Sequence, residues 1–170
     1  MAAIGRCPGC RLELPAVDGP THPYIGSSAS CWKLYGEVLA REFENPSLFA
    51  VHQVTVDAYA VQHPGLPERR AIQSVAVHLM TLALWLERDA DPRAGSSLHK
   101  RMVSRPEYVW LEPPQPNGTL TIADVHRAVT PEQHRDAVWM WARDVWQAWE
   151  AHHSTVYAWI ERALGSASSV

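Results

Sequence analysis

SLFAVHQVTVDAYAVQ (residues 47–62), HPGLPERR (63–70) and AIQSVAVHLMTLALWLER (71–88) read as helix, turn and helix. Asn45 is placed to cap the first helix, Pro46 takes its first position, and Pro64 keeps His63 out of the helical region. The β-branched run at 51–56 would also suit a strand. In the second helix the apolar positions nearly surround the axis, so it is expected to be the most buried element. A hairpin centred near Pro67 sets residue 78 level with residue 56 or 57, so Asp57 and His78 should face each other. His52 and His63 share a face, but eleven residues at about 1.5 Å each separate them by about 16 Å, too far to share an ion.

Working outward, the preceding run CWKLYGEVLAREF (31–43) reads as a helix capped by Ser30, with Leu34, Tyr35, Val38 and Leu39 on one side. Upstream of it, residues 1–30 carry four prolines and four glycines, which break every periodic pattern. Downstream, residues 89–129 are less regular: Tyr108–Leu111 suits a strand or an extended arm, residues 112–118 form a proline-rich connector, and Thr121 opens a short helical piece. Thr130-Pro131-Glu132-Gln133 is a capping box that launches a long final helix to about Leu164. On that helix Ala142, Val145, Trp149, Val156 and Trp159 share a face, with His152 and His153 beside it. Trp139, Trp141 and Trp146 cannot all face inward with Trp149, so at least one ring should meet solvent, a pocket or another subunit. The expected fold is therefore mostly α, a helical bundle forming one domain over 1–170: an irregular arm (1–30), helices and connector (31–129), and a long C-terminal helix (130–164).

The arm carries all three cysteines of the 170-residue chain with Cys31 at its border. Cys7-Pro8-Gly9-Cys10 lets two thiolates reach one tetrahedral ion, since Pro8 fixes the bend and Gly9 lets the backbone curl. Cys31, at a helix N-terminus, would supply a third thiolate. His22 is the nearest candidate for the fourth ligand, with Asp18 or a histidine from the body as substitutes. The expectation is a structural zinc that fastens the arm, against the alternative that the thiols are ordinary core residues. With a net charge of −3 and 15 scattered Lys and Arg, there is no basic stripe for nucleic acid. No apolar run nears the roughly 18 residues of a membrane span. An odd number of cysteines suits a reducing cytoplasm.

The body offers a second candidate centre. Asp57 and His78, joined by His152 or His153, would give a carboxylate and two imidazoles with open positions, a ligand set that suits iron, zinc or nickel. Tyr59 or His52 would handle a proton. The alternative is a buried Asp57–His78 hydrogen bond without metal. His99, His126 and His134 lie in polar surroundings and receive no role.

The runs CPGC (7–10), DGPTHPYIGSSASCW (18–32), YGEVLAREF (35–43), VHQVTVDAYAVQHPG (51–65), IQSVAVHL (72–79) and HHSTVYAW (152–159) resemble a bacterial family of domain-of-unknown-function proteins. The resemblance implies a single bacterial cytoplasmic domain with Cys7, Cys10, Cys31, His52, Asp57, His63 and His78 as motif positions, and it brings no activity. Two functions follow as expectations: a metal-dependent enzyme acting on a small molecule, or a zinc-stabilised binding or scaffolding protein that associates through exposed tryptophans.

Overall fold

The axis of the molecule is a helix, α2 below, that is enclosed on almost every side. The computed structural model describes residues 3–104 and 107–165, and the chain is mostly helical, as the periodicity predicts. A two-stranded antiparallel sheet comes first: β1 (Ile4–Arg6) pairs with β2 (Glu13–Pro15), Gly5 opposite Leu14. The arm thus holds a short ladder where the sequence suggests none, because the cysteine turn between the strands closes a hairpin; Cys7 N–H donates to Leu12 O at 2.9 Å. Met1, Ala2 and residues 166–170 of the Ser/Ala-rich end lie outside the described residues.

Helix α1 (Ala29–Glu44) starts two residues earlier than its sequence suggests, since the cap is Ser28, whose Oγ accepts from Cys31 N–H at 3.2 Å. Ser30 instead donates to Pro15 O at 2.6 Å and ties the helix to β2. Asn45 then caps a turn of tight helix at Pro46–Leu48, which runs into α2 (Phe49–Gln62). Nine of the 14 residues of α2 are buried, against 11 of 19 in α3 (Arg69–Glu87), so α2 rather than α3 is the most enclosed element. The reason is position: α2 packs against both α3 and the later helix α6 (Pro131–Ala148). Its β-branched residues fit the helix because their side chains are buried on several sides, where packing outweighs propensity.

The stretch after α3 contains α4 (Gly95–Val103), which the sequence reading leaves without structure; it follows a turn capped by Asp91 and packs on α3. Residues 108–118 run as an extended connector to α5 (Ile122–His126), whose Thr121 and Asp124 form a capping box. Polar side chains sew this connector to the end of α2. Gln62 donates to Asn117 O and Leu120 O, Asn117 donates to Val61 O, and the indoles of Trp141 and Trp149 donate to Gln62 Oε1 and Asn117 Oδ1. Every buried polar atom in that set has a partner, as burial demands.

The predicted long final helix is in fact two. α6 ends at Ala148, a tight turn covers Glu150–His152, and α7 is His153–Leu164. The break relieves a conflict among large rings: the buried Trp149 indole reaches Asn117, while His153 stacks on Trp146 at 3.7 Å and its Nε2–H donates to Trp146 O, which also accepts Trp149 N–H at 3.0 Å. Trp141, Trp146 and Trp149 are buried, and Trp139 is the ring left half exposed, with Arg143 over it at 5.9 Å. No described helix is long and apolar enough to cross a membrane.

Candidate metal centres

Cys7, Cys10, Cys31 and His63 present one ligand atom each within 4.8 Å of one another. The cysteine turn supplies the first two, the first turn of α1 the third, and the residue just past α2 the fourth. His63 ends the helix in front of Pro64, and its carbonyl accepts Gly26 N–H at 3.0 Å, which draws the arm across the end of α2. The tautomer is fixed. His63 Nδ1 lies 2.7 Å from Tyr59 O, a carbonyl that only accepts, so Nδ1 carries the proton and the Nε2 lone pair faces Cys31 Sγ at 3.5 Å. A tetrahedral zinc with bonds of about 2.3 Å to sulfur and about 2.05 Å to nitrogen has S–S edges of about 3.8 Å and S–N edges of about 3.6 Å. The Cys10–Cys31 separation is 3.8 Å and the Cys31–His63 separation 3.5 Å.

The thiols titrate together. Hydrogen bonds from Cys10 and Cys31, working against burial, hold Cys7 below the usual thiol range, while Cys31, beside Cys10 and Cys7 and buried, is pushed far above it. Three thiolates cannot coexist here without a cation to balance them. Tyr59 donates to Cys31 Sγ at 3.5 Å and stacks on His63 at 4.0 Å, so the site is walled by an aromatic ring. Gly9 closes the other side: a Cβ there would stand 2.4 Å from the His63 ring, 2.8 Å from Gln62 O and 2.9 Å from Gly26 O. Two of the three obstacles are backbone, so Gly9→Ala should cost roughly 1–3 kcal/mol of overpacking and weaken metal retention, read by thermal denaturation and by zinc release to a chromogenic chelator.

His22 stands outside this group. Its Nδ1 accepts from Tyr24 N–H at 3.4 Å and its ring rests against Tyr24 and Trp32. The extended stretch before Pro23 holds it there, while His63, remote in sequence, is delivered by the arm crossing α2.

A second group, Asp57, His78 and His99, also places one ligand atom from each residue within 4.8 Å of the others. The hairpin register is as the sequence predicts: His78 Nδ1 meets Asp57 Oδ1 at 2.6 Å. The third member comes from α4, with His99 Nε2 3.7 Å from the same Asp57 oxygen. Asp57 is fully buried and immobilised, since Trp85 Nε1–H donates to Oδ2 at 2.6 Å and Gln53 to Oδ1 at 2.9 Å. His99 Nε2 is buried without a hydrogen-bond partner among the described residues. Burial, outweighing the nearby Asp57 charge, lowers the His99 pKa and favours the neutral ring that a metal ligand needs. His78 and His99 line a cavity of about 330 Å³ with Tyr24, Arg70, Gln73, Ser74, Val77 and Val103.

The histidines expected from the C-terminal helix are elsewhere. His152 donates to Glu112 O at 2.8 Å and His153 to Trp146 O at 2.9 Å, because the break at Trp149 turns both toward backbone carbonyls. Tyr59 belongs to the cysteine group and not to the Asp57 cavity. His52 belongs to a third cluster, invisible in the sequence reading: buried Glu42 accepts from His52 Nδ1 at 2.8 Å, His134 Nε2 at 2.8 Å and Thr55 Oγ1 at 2.5 Å.

Fold and geometry thus define a mostly helical protein with, among the described residues, two groups of side chains able to hold a metal ion. The model of a family of unknown function, DUF5946, matches residues 5–150, and the chain belongs to that family. The motif runs quoted above point to a family of this kind, one that carries no known activity. No curated protein and no solved structure matches the chain significantly.

Proposed function

We propose that this protein is a metal-dependent enzyme acting on a small molecule at the Asp57/His78/His99 centre, with a separate structural zinc in the Cys7/Cys10/Cys31/His63 site. The observation that carries the reading is His99 Nε2, buried and unpartnered, 3.7 Å from a carboxylate oxygen that His78 also touches. A purely structural Asp57–His78 bond leaves that nitrogen unexplained, since a buried polar atom without a partner costs about 1–3 kcal/mol. The two ligand sets differ in kind. Three thiolates and an imidazole select zinc and leave no open position, whereas one carboxylate and two imidazoles beside a cavity leave positions for water and substrate. A divalent ion held there would polarise a substrate oxygen or lower the pKa of bound water. Asp57 would be its fixed anionic ligand, with Trp85 and Gln53 preventing rotation of the carboxylate. Thiolate ligands last where the surroundings are reducing, so we place the protein in the cytoplasm.

Metal analysis of protein purified without added ions tests the reading. Two equivalents per chain are expected, of which the Asp57→Ala/His99→Ala variant loses one and keeps zinc. One zinc per chain, unchanged in that variant, would leave a zinc-stabilised scaffold and end the enzyme reading.

A further inference from the structure

The cavity beside the second centre has a chemical polarity of its own. Arg70, Ser74 and His78 stand at i, i+4 and i+8 on α3, one face of the helix, so they form a ladder of about 6 Å per step and about 12 Å in all. His78 is its metal end and Arg70 its outer end. Arg70 forms no ion pair with any described residue, and among the described residues no carboxylate lines the cavity, Asp57 being enclosed behind the histidines. Glu68, the acid nearest in sequence, lines a different cavity, one that shares Tyr24 with this one. Arg70 also lies in the first turn of α3, whose N-cap makes no side-chain hydrogen bond, so the positive end of the helix dipole adds to the guanidinium. Between the two ends Ser74 offers a hydroxyl, and Gln73 is held against the wall by its bond to Val103 O at 3.2 Å. A volume of about 330 Å³ lies at the small end of ligand pockets.

Resting on the metal centre proposed above, we infer that the substrate is a small elongated anion whose carboxylate or phosphate is held by Arg70 while its reacting group lies at Asp57/His78/His99. A guanidinium pairs with either oxyanion in bidentate fashion, so both sources share one chemistry. Tyr24 is the arm's contribution to the wall of this cavity.

The probes are hydroxamates, which bind metal through their own oxygens. On protein loaded with Co(II) at the second centre, acetohydroxamate should perturb the visible spectrum. A hydroxamate whose chain ends in a carboxylate two to six methylenes away should bind at least about tenfold tighter at its best length, and a phosphonate-ended series identifies which oxyanion is preferred. Arg70→Gln should erase the advantage of the charged end with acetohydroxamate affinity and cobalt content unchanged, while Arg70→Lys retains part of it. If cobalt does not bind at this centre, the metal reading falls and this one with it. If acetohydroxamate binds and the anionic chains bind no tighter, or keep their advantage in Arg70→Gln, the anionic substrate alone is overturned.

Discussion

Cys31→Ser is expected to release the zinc proposed for the cysteine site, free the arm and lower the thermal midpoint by more than about 10 °C, and a strong chelator should do the same to the native protein. The arm has little else to hold it. Between residues 3 and 28 only Cys7 and Ser27 are buried, and the ladder is three residues on each side. A segment that buries so little apolar surface cannot offset its own ordering entropy of about 1–2 kcal/mol per residue. Structural zinc contributes about 10–16 kcal/mol of apparent binding free energy in small fingers, and a domain of this size shifts by about 2–4 °C per kcal/mol. Cys31 is the sharpest single change because it touches the most partners: Cys10, His63 and Tyr59 all reach its sulfur. Hydrogen exchange separates local from global effects. Backbone amides of residues 4–16 should lose protection in the variant while those of α6 and α7 keep theirs; unchanged protection in the arm would end the structural role assigned to this site. Because Tyr24 forms part of the cavity wall, loosening the arm should also weaken ligand binding at the second centre.

What the sequence made legible follows physical range. Cys7, Cys10 and Cys31 are readable because a tight turn and a helix start are local events, and Asp57 with His78 is readable because a short turn fixes the register of two helices. The sequence reading puts His22 first as fourth ligand because it is nearer to the thiols, and leaves His63 as a motif position and one of the body histidines that could substitute; the Gly26–His63 hydrogen bond, which brings the end of α2 to the arm, is a tertiary contact. His99 was missed because α4 opens with Gly95, Ser96 and Ser97, which carry no apolar period; its signal was the Asp91-Pro92 cap. The break at Trp149 depends on Asn117, a partner 32 residues away, so no helical pattern announces it. Glu42 and His134 receive no role in the sequence reading, His134 because its neighbours in sequence are polar, and acidic residues are seldom buried unless paired. Their burial is a tertiary fact.

That buried cluster carries the second large effect. Glu42→Ala should destabilise the fold by about 3–5 kcal/mol, as expected when one member of a buried charged network is removed, and lower the midpoint by roughly 6–20 °C. The network is specific in its protons. Arg41 can only donate, and it lies 3.4 Å from His134 Nδ1, so that nitrogen accepts and His134 Nε2–H donates to Glu42. With His52 and Thr55 also donating, truncation at Glu42 removes the acceptor shared by three donors; Thr55 keeps Val51 O and half-buried His52 can reach water, but the fully buried His134 Nε2–H is stranded. Glu42→Gln keeps the shape and one acceptor, so it should cost less, about 1–3 kcal/mol. Burial alone would raise the Glu42 pKa, but the bonds from His134, His52 and Thr55 together hold it below the ordinary glutamate value of 4.5. A folded-state pKa depressed in this way gives stability that is present in full above the unfolded value and drains as pH falls through the folded one. The difference between native protein and Glu42→Gln, measured by urea denaturation, should therefore hold above pH 4.5 and narrow below it. A gap that widens in acid would mean the carboxyl is protonated in the native fold, and the cluster is then a neutral hydrogen-bonded group with no ionised centre.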